Sequence, residues 1–356
     1  GAYENIAQRL YWAIFKKLNN LNIRQIAYLA GVSVATVSRC INQPEKVSEE
    51  TRNHIIGVMK RVDYIPNPSA KSLSTGYTKT ILCVIPTLCN EFFNQLVEGS
   101  QAVLREADYK VLVFSTDSIE DFWRRVDQRS VDGMIISGSG FINSEELRMA
   151  KIQVPYVLIE NMEQSESPKD VTYVYSDDYK GVQMALEYLY REGNRVFGVI
   201  STSDTYLVTE RRRKAVYDFF MEKKDCRLCM VKAHYADLQD AYDACGHLMR
   251  LEERPTAIFA FNDMMAIAAM RYLVLHGIRV PEDMEIMGFD DNPVASFVLP
   301  SLSTVVAPNY QLGESAARLL LEKLRGNTES KSVLFPVELK LRETTRNNVK
   351  EYRDKL

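Results

Sequence analysis

The chain has 356 residues, 46% of them hydrophobic and 26% charged, with a formal net charge of −3. Such a composition excludes a disordered, collagenous or disulfide-built protein, and at roughly 100–200 residues per domain it predicts two or three domains. No apolar run approaches the roughly 18 residues that a membrane helix needs, and the six cysteines suit a reducing, cytoplasmic setting. The near-neutral total is unevenly divided: residues 1–76 carry ten basic and five acidic side chains (+5), leaving 34 and 42 (−8) to the remainder. A basic terminal module is the electrostatic footprint of something that approaches phosphates.

Ile6, Leu10, Ile14, Leu18 and Leu21 recur every three or four residues among Arg9, Lys16 and Lys17, which predicts an amphipathic extension helix in residues 1–21 and not an export signal. Two short helical patterns follow, broken at Gly31. Ile23, Ile26, Ala27 and Ala30 form one apolar stripe, and Val37, Cys40 and Ile41 the next, with Ser33 placed as its N-cap. Packing the second stripe inward leaves Val34, Ala35, Ser38, Arg39 and Asn42 outside, which is the layout of a helix-turn-helix. Ser48 caps a third helix running through Ile55, Ile56, Met59 and Val62 to Tyr64. The polar segment 67–77, with Pro68 and Gly76, is long enough for two helical turns that would be marginal alone.

From Thr80 onward, short β-rich runs (81–85, 111–114, 134–136, 156–159, 196–200, 230–233, 257–261, 285–288) alternate with helical patterns (91–106, 179–192, 208–223, 237–250, 263–277). Strands buried on both faces and separated by helices predict parallel α/β sheets. About 270 residues exceed one comfortable sheet, so two similar lobes are expected.

The run Ala30-Gly31-Val32-Ser33-Val34-Ala35-Thr36-Val37-Ser38-Arg39, with Asn42, Val47-Ser48 and Tyr64-Ile65-Pro66-Asn67, resembles the headpiece of LacI/GalR-type transcriptional regulators. Val131-Asp132-Gly133-Met134, Asn262-Asp263-Met264-Met265-Ala266, Gly288-Phe289-Asp290-Asp291 and Leu341-Arg342-Glu343-Thr344-Thr345 resemble the periplasmic-binding-protein-like effector domain of the same family. The resemblance implies a small all-α headpiece (22–66), a hinge (67–77), a two-lobed α/β effector domain (78–345) and a tail (346–356). The lobes would be 78–162 with 292–326, and 163–291 with 327–345. It implies further that Val34, Ala35 and Arg39 read base edges, that Thr36, Ser38 and Asn42 hold phosphates, and that Leu73 wedges into the minor groove. Chemistry agrees with that division, because an arginine can donate two hydrogen bonds to guanine whereas short hydroxyls reach only the backbone. Gln25 stands where the family often has Asp, which predicts a weaker cap on the first helix.

In open α/β sheets a ligand binds at the C-terminal strand ends, here the cleft between lobes. By resemblance the cleft residues are Phe93, Glu160, Arg212, Tyr235, Asn262 and Asp290, a set of carboxylates, an amide and aromatics suited to sugars or sugar acids. Arg212 carries a departure: Ala215 occupies the family's Gly position, so Arg211 or Arg213 could serve in a shifted register. Asp263 reads as a cap on the following helix. Cys226-x-x-Cys229 with His234, Cys245 and His247 lacks a second pair at zinc spacing, and no phosphate loop or nucleophile elbow is present. The expectation is a cytoplasmic homodimeric repressor that is not an enzyme and needs no cofactor. It would bind double-stranded operator DNA and a small-molecule effector, with no membrane partner. The alternatives are a solute-binding protein without DNA function and a carbohydrate enzyme.

Overall fold

The computed structural model describes residues 21–66, 76–116, 118–137, 152–159, 171–202, 207–234, 237–327, 329 and 331–346. The extension helix, the hinge with Leu73, the tail, and the cleft positions Glu160 and Tyr235 lie outside the described residues. Two compact units are present, Gly1–Lys79 and Thr80–Leu356.

The first unit is built of α1 (Ile23–Leu29), α2 (Val34–Asn42) and α3 (Glu49–Arg61). Gly31 turns the chain with φ +64, a conformation that costs a Cβ-bearing residue dearly. Ser33 and Ser48 cap α2 and α3 as expected, accepting from the amides of Thr36 and Thr51. The predicted weakness of the first cap is corrected. Gln25 completes a capping box, its Oε1 accepting from the Asn22 amide at 2.8 Å while Asn22 Oδ1 accepts from Gln25 at 3.2 Å. A glutamine at the third helical position reaches back as well as a carboxylate does. Ile26, Ala27, Ala30, Val37, Cys40, Ile55 and Val58 form the core. His54 of α3 also bonds the Ala30 carbonyl at 3.1 Å, tying the third helix to the end of the first.

Among the described residues, the second unit holds two six-stranded sheets. One has the order β11-β5-β4-β3-β1-β2, from Ser332–Phe335, Tyr173–Ser176, Tyr156–Ile159, Gly133–Ser137, Thr80–Ile85 and Lys110–Ser115. The other has the order β12-β10-β9-β8-β6-β7, from Glu338–Lys340, Ser303–Val306, Glu285–Phe289, Ala257–Ala260, Val196–Thr202 and Arg227–Ala233. All recorded pairings are parallel except β10 with β12, which is antiparallel. Helix α4 (Glu91–Glu106) and α5 (Ile119–Arg125) follow β1 and β2. Next come α6 (Asp178–Arg191), α7 (Leu207–Glu222), α8 (Leu238–Met249), α9 (Asp263–Leu275) and α10 (Asn309–Leu324).

Sheet membership moves the predicted lobe crossings of 162, 291 and 326. The chain leaves the first lobe between Ser176 and Asp178, returns between Val306 and Asn309, and crosses again between Phe335 and Glu338. Of the four-residue strands, β5 and β10 pair with the strands that precede them in the chain, whereas β11 joins the first sheet by pairing with the far earlier β5, which local pattern does not encode. Return of α10 to the first lobe is sealed by glycines: a Cβ on Gly99 of α4 would sit 2.0 Å from the Tyr310 carbonyl oxygen, and one on Gly313 of α10 2.1 Å from that of Leu96.

Candidate functional site

On the headpiece, α2 buries Val37 and Cys40 and turns Val34, Ala35 and Arg39 to solvent. Thr36, Ser38 and Asn42 flank that face half-buried. The Thr36 hydroxyl lies 2.8 Å from that of Ser33, and Asn42 Nδ2 donates to Ser38 Oγ at 3.4 Å. The predicted reading residues therefore share one exposed side of a nine-residue helix, with short polar groups along its border. That is the arrangement a major groove admits.

In the effector unit, Asn262 and Asp290 follow β8 and β9, and Arg212 reaches Asp290 from α7. Asn262 ends the β8 segment and caps α9, its Oδ1 accepting from the Met265 amide at 2.8 Å. The cap is therefore Asn262 and not Asp263. A buried Asp263 carboxylate instead accepts from Thr304 Oγ1 at 2.5 Å and from the Asn292 amide at 2.6 Å, holding the loop after β9 against β10. Burial, and then the charge of Asp290, push its pKa well above the usual carboxylate value. Gly288 is required here, since a Cβ would lie 2.2 Å from Asp263 Oδ1.

Asp290 and Asp291 adopt φ of +109 and +52, a strained region for residues with a Cβ. Their conformation is over-determined. The Asp290 amide donates to Val305 at 2.8 Å, Asn309 Nδ2 donates to the Asp290 carbonyl at 3.3 Å, and Lys340 and Arg342 both hold the Asp291 carboxylate.

At the start of α7, the Arg212 guanidinium is buried over the Phe289 ring, 3.6 Å from its centre. Nε and Nη2 donate to Asp178 Oδ1 at 2.9 and 2.7 Å, Nη2 also reaches Asp290 Oδ1 at 3.3 Å, and Nη1 donates to the Phe261 carbonyl. Arg213 instead pairs with Glu210 and donates to the Thr202 carbonyl. Burial lowers the pKa of Arg212, but the two aspartates more than restore it and hold it above the usual arginine value. Burial first, and Asp178 second, outweigh the guanidinium at Asp290 and raise that carboxyl to about 7.

Asp178 escaped the sequence reading, because it stands 34 residues from Arg212 and opens a helix where an acid is unremarkable. Phe93 does not join this group among the described contacts. It is buried in the first-lobe core, edge-on to Phe92 with ring centres 5.0 Å apart. A cavity of about 340 Å3 opens beside two of the crossing segments, those after β10 and after β11. It is lined by Asp290 and Asp291, by Val306 to Gln311, by Pro336 to Glu338 and by Gln95. Its size falls within the roughly 300–1,000 Å3 of small-molecule pockets. Among the described residues no group of three or more His, Cys, Asp or Glu side chains is gathered for a metal, and no helix is long and apolar enough to cross a membrane.

Residues 22–67 match the family described as bacterial regulatory proteins, lacI family, and residues 186–345 match the periplasmic binding protein-like domain. The HTH-type transcriptional repressor CytR of Escherichia coli (strain K12) is 29% identical over 335 residues, covering 91% of this chain and 96% of that one. The structure of a transcriptional regulator CelR–cellobiose complex superposes with a TM-score of 0.67 at 25% identity, over 91% of this chain and 99% of that one. The Lac repressor dimer bound to operator and an anti-inducer shares the fold with a TM-score of 0.80 at 22% identity, covering 92% and 99% of the two chains.

Proposed function

The chain belongs to the lacI family of bacterial regulatory proteins, and from that premise we infer that it is a transcriptional repressor whose headpiece binds operator DNA under control of a small molecule held between the two lobes. The observation that carries the DNA half is the helix α2, with Val34, Ala35 and Arg39 exposed opposite the buried Val37 and Cys40. We assign base reading to those three and phosphate contact to Thr36, Ser38 and Asn42, with Leu73 as the minor-groove wedge. The ligand half is supported by the contact of Arg212 with Asp290 beside a strained, braced loop, by the place of Asn262 just after β8, and by the cellobiose in the CelR complex. Glu160, Tyr235 and Phe93 complete the assigned set. A sugar or sugar derivative is the ligand class this chemistry suits.

A homodimer would place two headpieces on a pseudo-palindromic operator, matching protein symmetry to DNA symmetry. Phe297 and Leu299, each 87% exposed, are the apolar groups we assign to contact with a second copy. Acting on the chromosome requires a cytoplasmic location. The relatives are repressors and not enzymes.

Selection of sequences from a random double-stranded DNA pool by the full-length protein tests this reading. An enriched inverted repeat is the expected outcome, with Arg39→Ala losing preference at one base position of each half-site. Recovery of no preferred sequence overturns it.

A further inference from the structure

An arginine in a ligand cleft ordinarily serves as an anion clamp, because five N–H donors in a rigid fork match a carboxylate or phosphate. Arg212 cannot act in that way. Four of its five N–H donors are already used, three on the carboxylates of Asp178 and Asp290 and one on the Phe261 carbonyl, so one Nη1 N–H remains and no two-pronged fork is left for a ligand. Its flat face is covered by Phe289. Asp178 is itself fully engaged, its second oxygen accepting from the Ser176 hydroxyl at 2.9 Å, which fixes the carboxylate that holds the arginine.

The charge balance follows. One guanidinium faces two carboxylates within hydrogen-bond distance, and nearby Lys340 and Arg342 are spent on Asp291. A ligand carboxylate or phosphate would arrive as a further anion beside Asp178, and beside Asp290 wherever that carboxyl is ionised, in a buried setting where like charges repel far more strongly than in water. A hydroxyl meets the opposite situation. Asp290 uses Oδ1 on Arg212, and its other oxygen is an acceptor suited to a neutral O–H.

We propose that Asp178 is a positioning residue that sets the ligand class of the interlobe site, neutralising Arg212 so that an uncharged polyhydroxylated ligand is selected over its carboxylated or phosphorylated counterparts. This rests on the reading that the effector binds beside Arg212 and Asp290. Asp178 acts through the arginine and not by touching the ligand.

The test uses the full-length protein and matched probes: galactose against galacturonate, ribose against ribose 5-phosphate, and cellobiose against cellobionate, by calorimetry and thermal shift. The expected result is saturable binding of at least one neutral probe, at least tenfold tighter than its anionic partner. An anionic probe binding as tightly as its neutral partner, or tighter, overturns the inference while leaving the effector site standing. Failure of all six probes to bind overturns the sugar reading and the inference with it.

Asp178→Asn, checked for folding by circular dichroism, keeps the side-chain shape and removes the charge. The neutral-over-anionic preference should then shrink at least tenfold. An unchanged preference in a folded variant shows that Asp178 does not set it, and the wild-type comparison stands even if the variant does not fold.

Discussion

Arg212 lies over the ring of Phe289 at 3.6 Å from its centre, so that the residue ending β9 supports the guanidinium that Asp178 and Asp290 hold from its edge. Removing either support has different consequences. Arg212→Ala leaves two carboxylates buried without their cation, and the expected loss is about 3–5 kcal/mol. Arg212→Lys keeps the charge but not the planar stack or the fork, and should lose less. Urea titration of both variants checks the order.

Asp290 makes the effector unit sensitive to pH. Its carboxyl is raised from 3.8 to about 7, by burial and then by Asp178, against the lowering effect of Arg212. The native state therefore keeps a proton that the unfolded chain has already released. Stability from this group is fully present below pH 3.8, falls as pH rises towards 7, and levels off above. In Asp290→Asn that slope should disappear, so the wild-type minus variant difference in unfolding free energy should decline by up to about 4 kcal/mol between pH 4 and 7. A difference that rises across this window would contradict the assignment.

Helices α4 and α10 cross at Gly99 and Gly313, where each glycine faces a backbone carbonyl of the other helix. Gly99→Ala must push the helices apart because backbone cannot step aside. The expected cost is about 1–3 kcal/mol, with the first lobe loosened more than the second. Amide exchange resolved by segment will show whether loss of protection is concentrated in α4, α10 and their strands.

The capping box on α1 joins Asn22 and Gln25 reciprocally. Gln25→Ala removes one half and should lower headpiece stability by about 0.5–2 kcal/mol, weakening DNA binding without changing which bases are preferred. Measuring affinity for a selected operator and a single-base series separates the two effects.

Contact between copies through the exposed Phe297 and Leu299 gives a last expectation. Phe297→Asp should shift the protein from dimer to monomer in sedimentation equilibrium and lower operator affinity at least tenfold, since one headpiece then binds a half-site alone.

The sequence alone determined the headpiece, because its information is local. Ser33, Gly31, Ser48 and the stripe from Ile26 to Ala30 act within a few residues of themselves, and each does in the structure what its chemistry demands. Alternation of strands and helices was legible for the same reason, and helix 91–106 falls where its apolar period places it. Only the tertiary structure decided which sheet received the short strand β11, since its hydrogen-bonded partner β5 lies far earlier in the chain. It also gave the cap of α9 to Asn262 and turned Asp263 to a threonine on a distant strand. The site followed the same rule: Arg212 could be named from the chain, but its neutralisation by Asp178 and Asp290 exists only where three separate elements meet and exclude water.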